Sequence, residues 1–187
     1  MRAKYKIKRL LDFRREIMVE DKAKEYQLVV FTIGDEEFGV DINQVREIVR
    51  LVQITYLPKA PQFIEGVVNL RGQVLAVIDL SKKLNIEAKA RSDSTRIVIV
   101  EVGENTVGMI VGSVSEVLRL PFKNVEEVPS IVDTEIPEHY IKGVGKLKDR
   151  LLVLLDLNRI LTPEEVQHVE KQVKNLSAKE AKDQEPQ

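Results

Sequence analysis

The apolar residues of this chain come in short runs. The clearest are Leu28-Val29-Val30-Phe31, Val74-Leu75-Ala76-Val77-Ile78, Ile97-Val98-Ile99-Val100 and Leu151-Leu152-Val153-Leu154-Leu155. Gly, Pro and polar clusters separate them. The runs are too short for buried helices, and their β-branched residues suit a pleated surface. They predict strands. The C-terminal end has a different period. Thr162-Pro163-Glu164-Glu165 carries a cap, a proline suited to the first helical position and an acid that completes a capping box. Val166, Val169, Val173 and Leu176 then fall on one face, so the pattern predicts a helix over 163–176. Residues 177–187 are polar and predict a disordered tail.

The chain repeats itself. Residues 31–50 align with 100–119 at an offset of 69, pairing Gly34 with Gly103, Gly39 with Gly108, Val45 with Val114, Glu47 with Glu116 and Arg50 with Arg119. From Phe63-Ile64-Glu65-Gly66 against Tyr140-Ile141-Lys142-Gly143 the offset is 77, and it carries through to Asp79 and Asp156. The second copy therefore holds an eight-residue insertion between Arg119 and Tyr140. Matching Gly and Asp positions are not a product of strand propensity, so the repeat is read as a duplication. It predicts an all-β core of two small barrels, residues 26–90 and 91–162, with a polar joint at Glu87–Thr95. Closing each sheet removes exposed edges. Two packed barrels leave a groove between them, a natural place for a partner.

Charge adds one asymmetry. Residues 1–17 carry seven Lys/Arg against two acids, so the near-neutral total hides a surplus of five there and a deficit of six in the other 170 residues. Ile7, Leu10, Leu11 and Ile17 recur there at roughly helical spacing. Residues 1–25 thus read either as a basic amphipathic helix for a membrane surface or acidic partner, or as a surface extension before the fold. Met18 is a possible alternative start of translation. The balance of the whole chain argues against nucleic acid as the main partner. No apolar run approaches the roughly eighteen residues that a membrane-spanning helix needs.

The available chemistry is sparse. With no Cys and two His, the chain offers no thiolate site and little for a metal or a His-based catalytic set. His139 and His168 read as solvated, with no second His at ligand spacing. Ser113 is not in a G-x-S-x-G setting. Asp79 and Asp156 are repeat-related carboxylates at strand ends. They read as caps of the short segments that follow, with an acid–base pair as the alternative. Gly34, Gly39, Gly103 and Gly108 read as turn glycines. Asn69-Leu70-Arg71-Gly72 reads as a hairpin turn in which Asn69 and Gly72 supply positive φ. A Glu47–Arg71 ion pair across one unit is geometrically open.

These segments resemble a known family. Phe31-Thr32-Ile33-Gly34, Glu37-Phe38-Gly39-Val40-Asp41-Ile42, Val45-Arg46-Glu47-Ile48, the stretch Gly66 to Gly72 and Val77-Ile78-Asp79-Leu80 are similar to CheW, the bacterial chemotaxis coupling proteins. The resemblance covers about residues 26–162. It implies two SH3-like five-stranded β-barrels, no catalysis, no cofactor and no metal. It implies a cytoplasmic adaptor recruited to receptor arrays at the inner face of the membrane. The implied partners are the regulatory domain of the histidine kinase CheA and the helical tip of methyl-accepting chemotaxis receptors. Receptor-facing positions of the family correspond to Val45, Glu47, Gly66 and Arg71, with Val114 and Val117 nearby and Ile48 on the same apolar floor. Kinase contact in the family uses barrel ends, which points to turns of the two units. Two other readings stay open: a scaffold of this type for a different kinase, and a small ligand-binding or hydrolytic barrel using Asp79 and Asp156.

Overall fold

The computed structural model describes residues 25–58, 60–127 and 136–183. The first copy supplies β1 (Glu25–Ile33), β2 (Glu36–Asp41), β3 (Val45–Arg50), β4 (Ile64–Leu70) and β5 (Gln73–Asp79), then the short helix α1 (Leu80–Leu84). The second supplies β6 (Arg96–Val102), β7 (Asn105–Val111), β8 (Val114–Pro121), β9 (Val125–Glu126), β10 (Ile141–Lys146) and β11 (Leu151–Leu155). Helix α2 (Pro163–Asp183) follows. The segment read as a basic extension lies outside the described residues, save Glu25, which opens β1.

The strands form two sheets, ordered β8-β1-β2-β11-β10-β9 and β3-β6-β7-β5-β4. Each sheet mixes the two copies. The first takes β1 and β2 from copy one and the rest from copy two. The second takes β6 and β7 from copy two and the rest from copy one. Under the repeat, β1 corresponds to β6, β2 to β7, β3 to β8, β4 to β10 and β5 to β11. The two orders are then identical apart from β9. The segments 26–90 and 91–162 are thus repeat units, and neither is a barrel by itself. The copies meet at four joints, the antiparallel pairs β1 with β8 and β3 with β6 and the parallel pairs β2 with β11 and β5 with β7. A repeat aligns residues but leaves open which copy each strand pairs with, because an exchanged partner satisfies an edge as well as a local one. Both sheets curl as small barrels. After β3 the chain crosses to β4, where Thr55 and Val67 exchange backbone hydrogen bonds of 2.8 and 2.9 Å.

The apolar runs are continuous because most strands are buried on both faces. Val29, Phe31 and Ile33 of β1 join Val98, Val100 and Met109 in a core shared between the sheets. Leu28 and Val30, the alternate residues, fill the interior of the first barrel with Leu120, Leu152 and Leu154. Val68, Leu75, Val77, Ile97, Ile99 and Ile110 fill the second. Val169 of α2 packs on Leu57, Ile64, Val67 and Ala76. Each buried side chain of this size contributes about 1.5–3 kcal/mol.

Two of the expected turn glycines are elsewhere. Gly34 and Gly103, with φ of +61° and +60°, do sit in hairpin turns. Gly39 and Gly108 lie inside β2 and β7, where they face Leu154 and Val77 across the parallel joints. A Cβ on Gly108 would stand 2.8 Å from Ile97 Cγ2, and one on Gly39 would stand 3.1 Å from Leu154 Cδ2. Close packing, not backbone freedom, accounts for these two.

The C-terminal helix starts where the capping box places it. Thr162 N–H donates to Glu165 Oε2 at 2.8 Å, and Glu165 N–H donates to Thr162 Oγ1 at 3.3 Å. It ends later than expected, at Asp183 instead of residue 176. The apolar stripe stops early, but Ala178, Lys179, Glu180, Ala181 and Lys182 are strong helix formers. Of the segment read as a disordered tail, residues 184–187 lie outside the described residues.

Candidate partner-binding site

The site is built on two repeat-equivalent edge strands, β3 and β8. On β3, Val45 and Ile48 stand opposite Val100 and Val98 of β6. On β8, Val114 and Val117 stand opposite Phe31 and Val29 of β1. Those four neighbours belong to the shared core, and directly paired residues share a face of the sheet. Val45 and Val114 are half-buried against that core. Ile48 is 38% exposed and Val117 58%. Each edge thus shows solvent an apolar strip at the margin of the layer where the sheets meet.

A register shift at Arg46 then turns the next residue over. Glu47 stands opposite Ile99, which belongs to the interior of the second barrel. Its carboxylate accepts two hydrogen bonds from Arg71, at 2.6 Å from Nη2 and 3.1 Å from Nη1. This is the fork geometry that a guanidinium makes with a carboxylate. It ties the β4–β5 turn to β3.

The turn differs from its sequence reading. Its two loop residues are Arg71 and Gly72, with φ of +53° and +84°. Two positive φ values match a type I′ hairpin. Asn69 stays in β4, and its Oδ1 accepts the Gly72 N–H at 2.9 Å. The left-handed position expected at Asn69 therefore falls to Arg71. Asn or Gly takes that conformation readily, whereas another L-residue is destabilised by about 1 kcal/mol. The Arg71 side chain is 81% exposed, so its ion pair contributes only about 0–1 kcal/mol. Fold stability does not account for an arginine at this point.

Gly66 belongs to the site by shape alone. It is buried, and a Cβ there would stand 2.1 Å from the Thr55 carbonyl oxygen. Its φ of +149° is also closed to other residues. It lets the chain after β3 cross β4, and a partner cannot reach it. That corrects its place among the partner-facing residues.

The two aspartates cap. Asp79 Oδ1 accepts from Ser81 N–H at 3.1 Å and from Ser81 Oγ at 2.5 Å, starting α1. Asp156 Oδ1 accepts from Asn158 N–H at 3.1 Å, starting the 3-10 turn Leu157–Arg159. Each carboxylate is taken up by its own chain direction, which is the reverse of what an acid–base pair needs. Among the described residues no group of three or more His, Asp or Glu is arranged for a metal ion.

One cluster was not read from the sequence. Arg91, in the polar joint, donates to Asp79 at 3.2 Å and pairs with Glu65 at 2.8 Å. Lys82 bonds the other Glu65 oxygen. Burial works against the Glu65 charge, yet the bonds from Lys82 and Arg91 outweigh it and hold the carboxyl below its ordinary value. Burial also opposes the Arg91 charge, and Glu65 and Asp79 more than offset that. The cluster pins the joint to the second barrel, and its Arg91 and Asp79 line a cavity of about 420 Å³. Its sequence signal is faint: Glu65 answers to Lys142 in the repeat, and the copies differ in sign there.

A family model described as the CheW-like domain matches residues 27–165. The chain is 35% identical over 149 residues to the chemotaxis protein CheW of Klebsiella aerogenes, covering 80% of this chain and 89% of that one. It is 34% identical over 143 residues to the chemotaxis protein CheW of Bacillus subtilis, with 75% and 90% covered. The crystal structure of the scaffolding protein TtCheW from Thermoanaerobacter tengcongensis superposes with a TM-score of 0.69 at 35% identity, covering 75% of this chain and 90% of that one.

Proposed function

The chain belongs to the CheW-like domain family, whose members are non-catalytic chemotaxis scaffolds, and from that premise we propose that it couples the histidine kinase CheA to methyl-accepting chemotaxis receptors. The receptor tip, a helical hairpin, lays an apolar stripe along the exposed edges of β3 and β8. Val45, Ile48, Val114 and Val117 supply the apolar contact. Glu47 and Arg71 fix orientation and partner choice more than affinity. The CheA regulatory domain docks on turns at the barrel ends. Binding to both recruits the chain to receptor arrays at the inner face of the membrane; among the described residues no helix is long and apolar enough to cross one.

Arg71 carries this reading. It occupies a conformation that disfavours it and is exposed almost completely. Such a residue, held by surrounding structure, is a mark of a functional position. The test is Arg71→Glu, read by calorimetric titration with a purified receptor cytoplasmic fragment. Affinity falls by roughly ten-fold or more, as for an Arg anchor at the centre of an interface, while circular dichroism and melting stay as in the parent. Equal affinity for variant and parent overturns the reading.

A further inference from the structure

We infer that Arg150, with Glu116 and Glu37, forms a second polar anchor of the partner-binding surface. It is equivalent to Arg71–Glu47 through the internal repeat and unequal to it in charge. The inference rests on the receptor-binding reading above and adds residues to it.

The equivalence is geometric. Glu116 on β8 answers to Glu47 on β3. A register shift at Ser115 precedes it, as the shift at Arg46 precedes Glu47. Glu116 then stands opposite Val30 of the first barrel's interior, as Glu47 stands opposite Ile99 of the second. In each barrel an arginine from the last hairpin turn reaches the bulged edge strand. Arg150, in the β10–β11 turn, donates from Nη2 to Glu116 at 2.5 Å. It answers in the repeat to Gln73, not Arg71, so the contact is rebuilt from a neighbouring position. An anchor rebuilt from a different position suggests that the contact matters more than the residue that makes it. The flanking apolar residues match as well. Val117 answers to Ile48, and Leu151, which answers to Val74, is 63% exposed.

The charges do not match. Arg71 meets one carboxylate. Arg150 is shared, since its Nε also pairs with Glu37 at 2.6 Å. The tip residues Lys148 and Asp149 cancel each other, and Lys146 is taken by Glu126 at 2.6 Å. One carboxylate charge is therefore left over at the first barrel, and none at the second. Two half-sites of like shape and unlike charge distinguish the two ways a helical hairpin can lie across them. The end of the partner that carries Lys or Arg goes to Glu116.

The test is Glu116→Lys in the full chain, titrated against the same receptor cytoplasmic fragment at low and high salt, with Arg71→Glu beside it. Affinity of Glu116→Lys falls about five-fold at low salt, the worth of one exposed ion pair. The deficit shrinks at high salt. Glu116→Lys binding like the parent while Arg71→Glu binds weakly overturns the second anchor and leaves the receptor reading standing. Both variants binding like the parent overturns the two together. If Glu116→Lys melts well below the parent, Glu116→Gln decides: weakened binding supports the anchor, and parental binding overturns it.

Discussion

Leu154 lies opposite Gly39 in the parallel joint between β11 and β2, and its Cδ2 stands 3.1 Å from where a glycine Cβ would be. Val77 lies opposite Gly108 in the equivalent joint. These are the two parallel joints between the copies, beside the antiparallel pairs β1 with β8 and β3 with β6. Removing a methylene of clearance there affects the exchange and not merely a local fit.

Gly108→Ala places a methyl 2.8 Å from Ile97 Cγ2, in a core with no slack. The expected cost is about 1–3 kcal/mol. Gly112→Ala is the wrong control, because Thr32 Oγ1 crowds that site at 2.7 Å. Gly103→Ala is the right one, since nothing lies within 4 Å and only the positive φ matters. It should cost about 1 kcal/mol. Urea denaturation of both variants checks the ordering; a Gly108→Ala protein as stable as the parent contradicts the packing argument.

Lys83 is almost buried, at 6% side-chain exposure, and gives hydrogen bonds to both Glu165 oxygens at 2.7 Å. It also stands 4.4 Å from the Phe63 ring centroid and 5.5 Å from that of Tyr140, two repeat-equivalent rings. Its own counterpart in copy two is the buried Ile160. Glu165→Gln keeps the capping box but leaves a buried ammonium without its counter-charge. It should destabilise by about 2 kcal/mol or more and loosen α2. Lys83→Met, which removes the charge itself, should be milder. Thermal unfolding with hydrogen exchange of α2 distinguishes them, and the reverse order rejects this account of the contact.

Glu65 is held below the ordinary carboxyl value of 4.5 by Lys82 and Arg91, against the opposing effect of burial. A depressed folded value adds stability that is fully present above the unfolded value and is lost as pH falls through the folded one. The parent should therefore lose stability below about pH 4.5. Glu65→Gln should flatten that part of the curve and lower the plateau at neutral pH. Denaturant titrations across the acid range read this directly. An unchanged slope in Glu65→Gln means other carboxylates carry the acid response.

Much of the fold was legible because duplication leaves marks that strand propensity does not. The Gly and Asp matches at two offsets located the strands, the insertion and the caps at Asp79 and Asp156. The exchange of strands was not legible, because β2 pairs with β11 across more than a hundred residues and no local pattern encodes that. Gly39 was misread for the same reason: its need for space is set by Leu152 and Leu154, far along the chain. The Glu47–Arg71 pair was visible as an open possibility. That Arg71, and not Asn69, takes the left-handed position depends on a register in which Leu70 pairs with Gln73. Arg91 and Arg150 were missed because each finds its partners on two separate strands, Glu65 of β4 and Asp79 of β5 for Arg91, Glu37 of β2 and Glu116 of β8 for Arg150.

Arg71→Gly is the most direct measurement of the central claim. Glycine accepts the positive φ without strain, so relief of strain offsets loss of an exposed ion pair and of chain stiffness. Stability should stay within about 1 kcal/mol of the parent. Titrated against the receptor cytoplasmic fragment, the same variant should lose roughly ten-fold in affinity. A variant with parental stability and parental affinity would show that Arg71 is an ordinary turn residue, and would contradict the account.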